Sequence, residues 1–252
     1  MTDIYGYRLK IGVVTPSVNT VVQPEYDAIR PQGVTNHIAR IHVTNIDTVA
    51  DAGIHQSIAD IDAGVDGAVE RVLTCEPDLI VLGVSLEAIY ADPEAGQAIE
   101  GRLRAKFGQP DLRLVHAGES IPAALAAHGV TSGSIALLTP YGDTAEPQLT
   151  SFMKSCGYEI QEIEHLRAPS LVKIAHNTPE AMRAKAEKLA ATKPRAIVQF
   201  GANLPFAPTA VRLEAEFGIP VIPVNTASYW HALRTSGIDD KIDGFGALLS
   251  EH

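Results

Sequence analysis

Short apolar runs bounded by turn residues alternate along the chain with segments of helical spacing. The runs KIGVV, IARIHV, DLIVLG, RLVHA, SIALLTP, AIVQFG and IPVIPV predict strands, and stretches such as GVDGAVERVLT and PEAMRAKAEKLAAT predict helices between them. The second of these helices opens on Thr178, with Pro179 at the first helical position and Glu180 next, a sound start signal. Unbroken Val/Ile/Leu runs indicate strands buried on both faces, hence mostly parallel sheets covered by helices. The predicted class is α/β.

The pattern also repeats. IGVVTPSVNT (Ile11 to Thr20) parallels IALLTPYGDT (Ile135 to Thr144), and EPDLIVLGVSL (Glu76 to Leu86) parallels KPRAIVQFGANL (Lys193 to Leu204). Two pairs in the same order predict a duplication: two pseudo-symmetric lobes, each with a mostly parallel sheet flanked by helices. The first lobe is expected over residues 1–115 plus 225–252 and the second over 116–224. Ligands of open α/β sheets sit beyond the C-terminal ends of the strands. The two Thr-Pro loops and two Gly loops should therefore surround one small ligand in a cleft between the lobes.

Composition narrows the partners. Across 252 residues the net charge is −10, which argues against nucleic acid or an anionic membrane, both of which require a basic footprint. A small anionic substrate is still compatible, because backbone N–H groups and hydroxyls can hold a carboxylate. The two cysteines, Cys75 and Cys156, have no metal-type spacing and suit reduced thiols in a cytoplasm. No signal-peptide pattern opens the chain and no apolar run approaches a membrane span. Self-association into a homo-oligomer is left open.

Several familiar chemistries lack their motifs. There is no G-x-G-x-x-G after a strand, no G-x-x-x-x-G-K-[ST], and no H-E-x-x-H or C-x-x-C, so neither a cofactor nor a metal is expected. LGVSLEA places Ser85 as in the nucleophile elbow G-x-S-x-G, but Glu87 stands where the second glycine belongs. Asp143 and His231 would complete the order Ser, acid, His. A hydrolase using Ser85 or an activated water is thus an alternative reading.

The set VVTPSVNT, LGVSLEAIY, LLTPYGDT, FGANL and VIPVNTASYWHALRTSGI resembles the aspartate/glutamate racemase superfamily, in its maleate cis–trans isomerase and arylmalonate decarboxylase branch. The resemblance spans nearly the whole chain. It implies a cofactor-independent enzyme with a small carboxylate bound between two α/β lobes. Carried over by position, it implies that Asn19, Ser85 and Tyr141 bind substrate carboxylate, with backbone N–H groups around Val84, Ser85, Ala202 and Asn203 completing the anion pocket. Such preorganised donors would stabilise a carboxylate turning into an enediolate. Each side chain also has a plain structural role open to it: Asn19 and Ser85 as helix caps, Tyr141 as packing.

One departure stands out. The family performs proton transfer or attack with cysteines at the third-strand end of each lobe, and those positions here are Gly83 and Gly201. The decarboxylase also has glycine at the first; Gly201 removes the residue expected to protonate the intermediate. The expectation is therefore an enzyme, a lyase of decarboxylase type or an isomerase, acting through an enolate-like intermediate at the α-carbon of a small carboxylate or dicarboxylate without a cysteine acid/base. Glu87 and Tyr90, just beyond Ser85, are the candidates to move the proton, Glu87 first, since a dry pocket can raise a carboxyl pKa into the working range. His55, read as lying in a loop after the second strand, and His231 are weaker candidates. The non-enzyme alternative is a carboxylate-binding protein.

Overall fold

The computed structural model describes residues 3–47, 51–85, 90 and 94–252. The first sheet contains β1 (Leu9–Pro16), β2 (Val34–Ile41), β3 (Leu79–Leu82) and β4 (Leu114–Val115) in the order β2-β1-β3-β4. The second contains β5 (Gly133–Thr139), β6 (Tyr158–His165), β7 (Ile197–Gln199) and β8 (Val221–Pro223) in the order β6-β5-β7-β8. All the strand pairings within both sheets are parallel. The same order in both sheets is the architecture expected of a duplication. The backbone repeats in detail as well: Glu76 and Lys193, each just before a proline, both take positive φ, 52° and 58°.

The helices in chain order are α1 (Val22–Ile29), α2 (Asp51–Leu73), α3 (Ala95–Phe107), α4 (Ala117–Ala127), α5 (Glu146–Ser155), α6 (Pro179–Ala191), α7 (Ala207–Phe217), α8 (Val224–Thr235) and α9 (Ala247–Ser250). They cover the sheets, so β3 and β7 are buried along their whole length, as a continuous apolar run requires. Each buried Val, Ile or Leu side chain contributes roughly 1.5–3 kcal/mol of transfer free energy. Thr178 caps α6, its Oγ1 accepting from Ala181 N–H at 3.2 Å. Among the described residues no helix is long and apolar enough to cross a membrane.

Two local expectations change. The strand β6, YEIQEIEH, is additional to the strands expected from the sequence, because its glutamates mask the apolar alternation. It is an edge strand, where polar side chains are tolerated, and Glu164 is held by Lys185 and Lys188 of α6 at 2.6 and 3.5 Å. His55 is not in a loop; it is an exposed residue of α2.

The lobes join through α8, which packs on α4, α1, β3 and β4 as well as β8. A short antiparallel bridge between Asp47 and Ser170 ties the segment after β2 to that after β6.

Candidate active site

The C-terminal ends of the strands of both sheets open on one cleft of about 420 Å³, counting its mouth. The loop after β1 contributes Asn19, the loop after β3 Gly83, Val84 and Ser85, the loop after β5 Tyr141, and the turn after β7 Ala202 and Asn203. The structure thus gathers the Thr-Pro and Gly loops of both repeats. The remaining described wall is mainly apolar, including Val18, Val43, Ile61, Leu171 and Ile174. Ser57 and Ile61 come from α2, four residues apart on one helical face. Sequence reasoning missed both, because the glycines of that segment obscured where the helix begins.

Asn19 is buried and its Oδ1 accepts from the N–H groups of Val21 and Val22, both at 2.9 Å, capping α1. Its Nδ2 has no partner among the described residues, so the cap fixes the amide while a donor remains for a ligand. Ser85 is fully buried and its Oγ accepts from Gly201 N–H at 3.0 Å, a bond that spans the two lobes. With one lone pair engaged there, the Ser85 O–H is left to donate. The Tyr141 hydroxyl has no partner among the described residues, and burial pushes its phenol up to about 12. It is the one titratable side chain in the described lining.

The Asn203 side chain is a clamp. Its Oδ1 accepts from Thr20 N–H at 2.9 Å and its Nδ2 donates to Leu171 O at 2.8 Å, joining loops of both lobes. The backbone N–H groups of Val84, Ser85, Ala202 and Asn203 have no acceptor among the described residues, although all four residues are buried against the cleft. Buried amides are nearly always bonded, so four such donors on residues that line the cleft favour an acceptor there. No lysine or arginine is in the described lining.

The two glycines at the expected thiol positions differ. A Cβ on Gly83 would meet Val22 Cγ1 at 2.8 Å and Thr15 Cβ at 3.2 Å. Gly201 has φ +106°, and a Cβ there would lie 2.4 and 2.5 Å from the Pro140 ring. The position at Gly201 is therefore filled: the Pro140 ring occupies the space a side chain would need. Cys75 and Cys156 are both half-buried and neither lines the cleft. Burial pushes the Cys75 thiol up, and its Sγ donates to Val72 O at 3.0 Å.

Other candidates fall elsewhere. Glu87 lies outside the described residues. Tyr90 does not line the cleft; its hydroxyl donates to Asp62 at 2.8 Å, and burial together with that carboxylate holds the phenol strongly in its protonated form. Tyr90 is thus directed to Asp62 and is not among the described groups that face the cleft. The Ser-Asp-His order of a hydrolase is not assembled either. Asp143 accepts from Arg167 at 2.6 Å, while His231 Nε2 lies 3.9 Å from Glu119, and neither residue lines the cleft. Asp143, Glu146 and His165 bring ligand atoms within 4.8 Å of one another, but both carboxylates are exposed and Arg167 already neutralises Asp143.

A two-lobed α/β protein with paired strand-end loops around one small cleft is the class that fold and site define together. The profile of the arylmalonate decarboxylase family matches residues 11–249. The chain belongs to that family, and so to a group of isomerase and decarboxylase enzymes. It is 22% identical over 261 residues to a maleate isomerase of Pseudomonas putida, with 99% of each chain covered. Its fold is similar to that of a Nocardia farcinica maleate cis–trans isomerase carrying a covalently bound succinylcysteine intermediate. There the TM-score is 0.83 at 23% identity, covering 97% of this chain and 99% of the other. It is also similar to an arylmalonate decarboxylase crystal structure, with TM-score 0.73 at 18% identity, covering 96% of this chain and 100% of the other.

Proposed function

We propose that the chain is an isomerase or decarboxylase acting at the α-carbon of a small carboxylate through an enolate-like intermediate, without a cysteine acid/base. The observation that carries this reading is the set of four N–H groups at Val84, Ser85, Ala202 and Asn203, on buried residues lining the cleft and without an acceptor among the described residues, joined by Asn19 Nδ2 and the hydroxyls of Ser85 and Tyr141. Donors fixed before the reaction stabilise negative charge as it moves from carboxylate toward enediolate, each charge-assisted bond contributing about 1.5–3 kcal/mol. Neutral donors in a largely apolar wall suit this task, since a nearby cation would hold the starting carboxylate as firmly as the intermediate.

Proton delivery falls to a group other than a thiol. In the described lining the Tyr141 phenol is the available acid. Glu87, two positions beyond Ser85 in the sequence, is the second candidate.

The test is turnover of phenylmalonate and maleate in D₂O, followed by NMR before and after iodoacetamide. Turnover by the fully alkylated protein, lost at least a hundredfold in Tyr141→Phe or Glu87→Gln with binding largely kept, is the expected result. Complete loss of turnover on alkylation would refute a thiol-free mechanism. Tight binding with no proton exchange on either compound would instead establish a carboxylate-binding protein.

A further inference from the structure

The chemistry proposed above makes no use of Glu25, a carboxylate on α1 that faces the junction of the two lobes. The residue is half-buried, but its Oε1 is sealed from solvent without a partner. Its Oε2 accepts from Asn225 Nδ2 at 2.7 Å, and the same Nδ2 donates to Ala202 O at 3.0 Å. Asn225 is a buried residue in the first turn of α8. One amide group thus connects a carboxylate on α1 with the Gly-Ala-Asn turn that follows β7.

That connection has a geometric consequence. In a trans peptide the C=O and the following N–H point in opposite directions. Holding the Ala202 carbonyl toward α8 therefore turns the Asn203 N–H away from α8. Asn203 lines the cleft, and its N–H has no acceptor among the described residues.

We propose that Glu25 is a positioning residue: through Asn225 it orients the Ala202–Asn203 peptide and so aims the Asn203 N–H at the anion in the cleft. This assignment rests on the carboxylate-binding reading above. An ionised Glu25 accepts strongly from Asn225. Protonation weakens that bond and lets the amide rotate, so that its oxygen accepts from the carboxyl and the Ala202 carbonyl loses its donor.

Burial raises the Glu25 carboxyl to about 7, opposed chiefly by the bond from Asn225. The switch therefore lies in an accessible pH range. The titratable group facing Glu25 is Tyr26 on its own helix, whose buried phenol is held protonated. Tyr26 packs on Tyr229 of α8 with ring centroids 4.7 Å apart. From α8 the other group that meets Glu25 is Asn225, and from α7 it is the Ala207 amide. No basic side chain among the described residues lies within salt-bridge distance of Glu25.

The deciding measurement is the ¹H–¹⁵N shift of the Asn203 amide in ligand-free, full-length protein between pH 5 and 9. In the wild type it should titrate with a midpoint near the Glu25 value of about 7, and in Glu25→Gln it should be flat while the thermal midpoint at pH 8 is raised. An Asn203 amide that does not titrate, or one that titrates unchanged in Glu25→Gln, overturns the assignment. Phenylmalonate and maleate turnover is measured on the same samples. The positioning role predicts kcat rising with pH through the same midpoint, and a kcat about tenfold lower in Glu25→Gln at pH 8 with KM less affected. A titrating Asn203 amide in a wild type that turns over neither compound supports the positioning role and removes the proposed chemistry, so the two failures are distinguishable.

Discussion

Replacing Gly201 by alanine asks whether the expected thiol position is an empty place or a filled one. The perturbation is one methyl group, and two independent terms act on it. Gly201 has φ +106°, which L-residues adopt only under strain of about 1–3 kcal/mol. The added Cβ would also lie 2.4 and 2.5 Å from Pro140 Cγ and Cδ, an overlap that must be relieved by moving the ring or the turn. Overpacking of that kind costs about 1–3 kcal/mol. Together they predict a loss of ~2–5 kcal/mol, measurable by urea unfolding followed by circular dichroism. Pro140→Ala in the same background should return only the overpacking part, leaving the backbone strain, so the double-mutant cycle separates the two terms. Gly83→Ala provides the contrast: its φ is ordinary and its tightest neighbour is Val22 Cγ1 at 2.8 Å, so overpacking of ~1–2 kcal/mol is the only term. A Gly201→Ala protein within ~0.5 kcal/mol of the wild type, or a Pro140→Ala change that recovers nothing, would refute a filled position at Gly201. The same geometry means that Gly201→Cys would not restore a usable thiol without rebuilding the Thr-Pro loop.

Other outcomes follow from the hydrogen bonds around the cleft. Ser85→Ala leaves the Gly201 N–H buried without its acceptor, so urea unfolding should show a loss of ~1–3 kcal/mol; an unchanged midpoint would mean that water replaces the hydroxyl. Glu25 predicts a pH-dependent stability with a definite sign. Its folded-state value is raised from 4.5 to about 7, so the folded protein binds more protons in that window, and stability falls as pH rises through it. Glu25→Gln removes this term and should gain on the wild type by up to ~3 kcal/mol above pH 7, less to the extent that water reaches the half-buried side chain. Equal thermal midpoints for wild type and variant across pH 5 to 9 would show that the carboxyl is not perturbed.

The sequence alone determined the architecture and the loops that meet. Buried parallel strands need continuous apolar runs, and a duplicated chain writes its pattern twice. The pairs Ile11–Thr20 with Ile135–Thr144 and Glu76–Leu86 with Lys193–Leu204 therefore located β1, β5, β3 and β7 and the loops at their ends. Where burial was partial the pattern weakened: β6 on its sheet edge was hidden by its own glutamates, and the glycines of α2 hid Ser57 and Ile61. Three-dimensional contacts decided the roles within the site. Whether Asn19 caps a helix or offers a donor depends on which amide atom faces which neighbour, and the structure assigns its Oδ1 to the cap. Asn203 became a clamp because Thr20 and Leu171, far from it in sequence, close on its side chain. Glu25 left no motif, since its environment is made by Asn225, 200 residues away. At Gly201 a missing side chain in the sequence reads as room, but the φ of the turn and the ring of Pro140 close that space. Local periodicity is carried by neighbours along the chain; desolvation, donor direction and free volume are set by residues that meet only after folding.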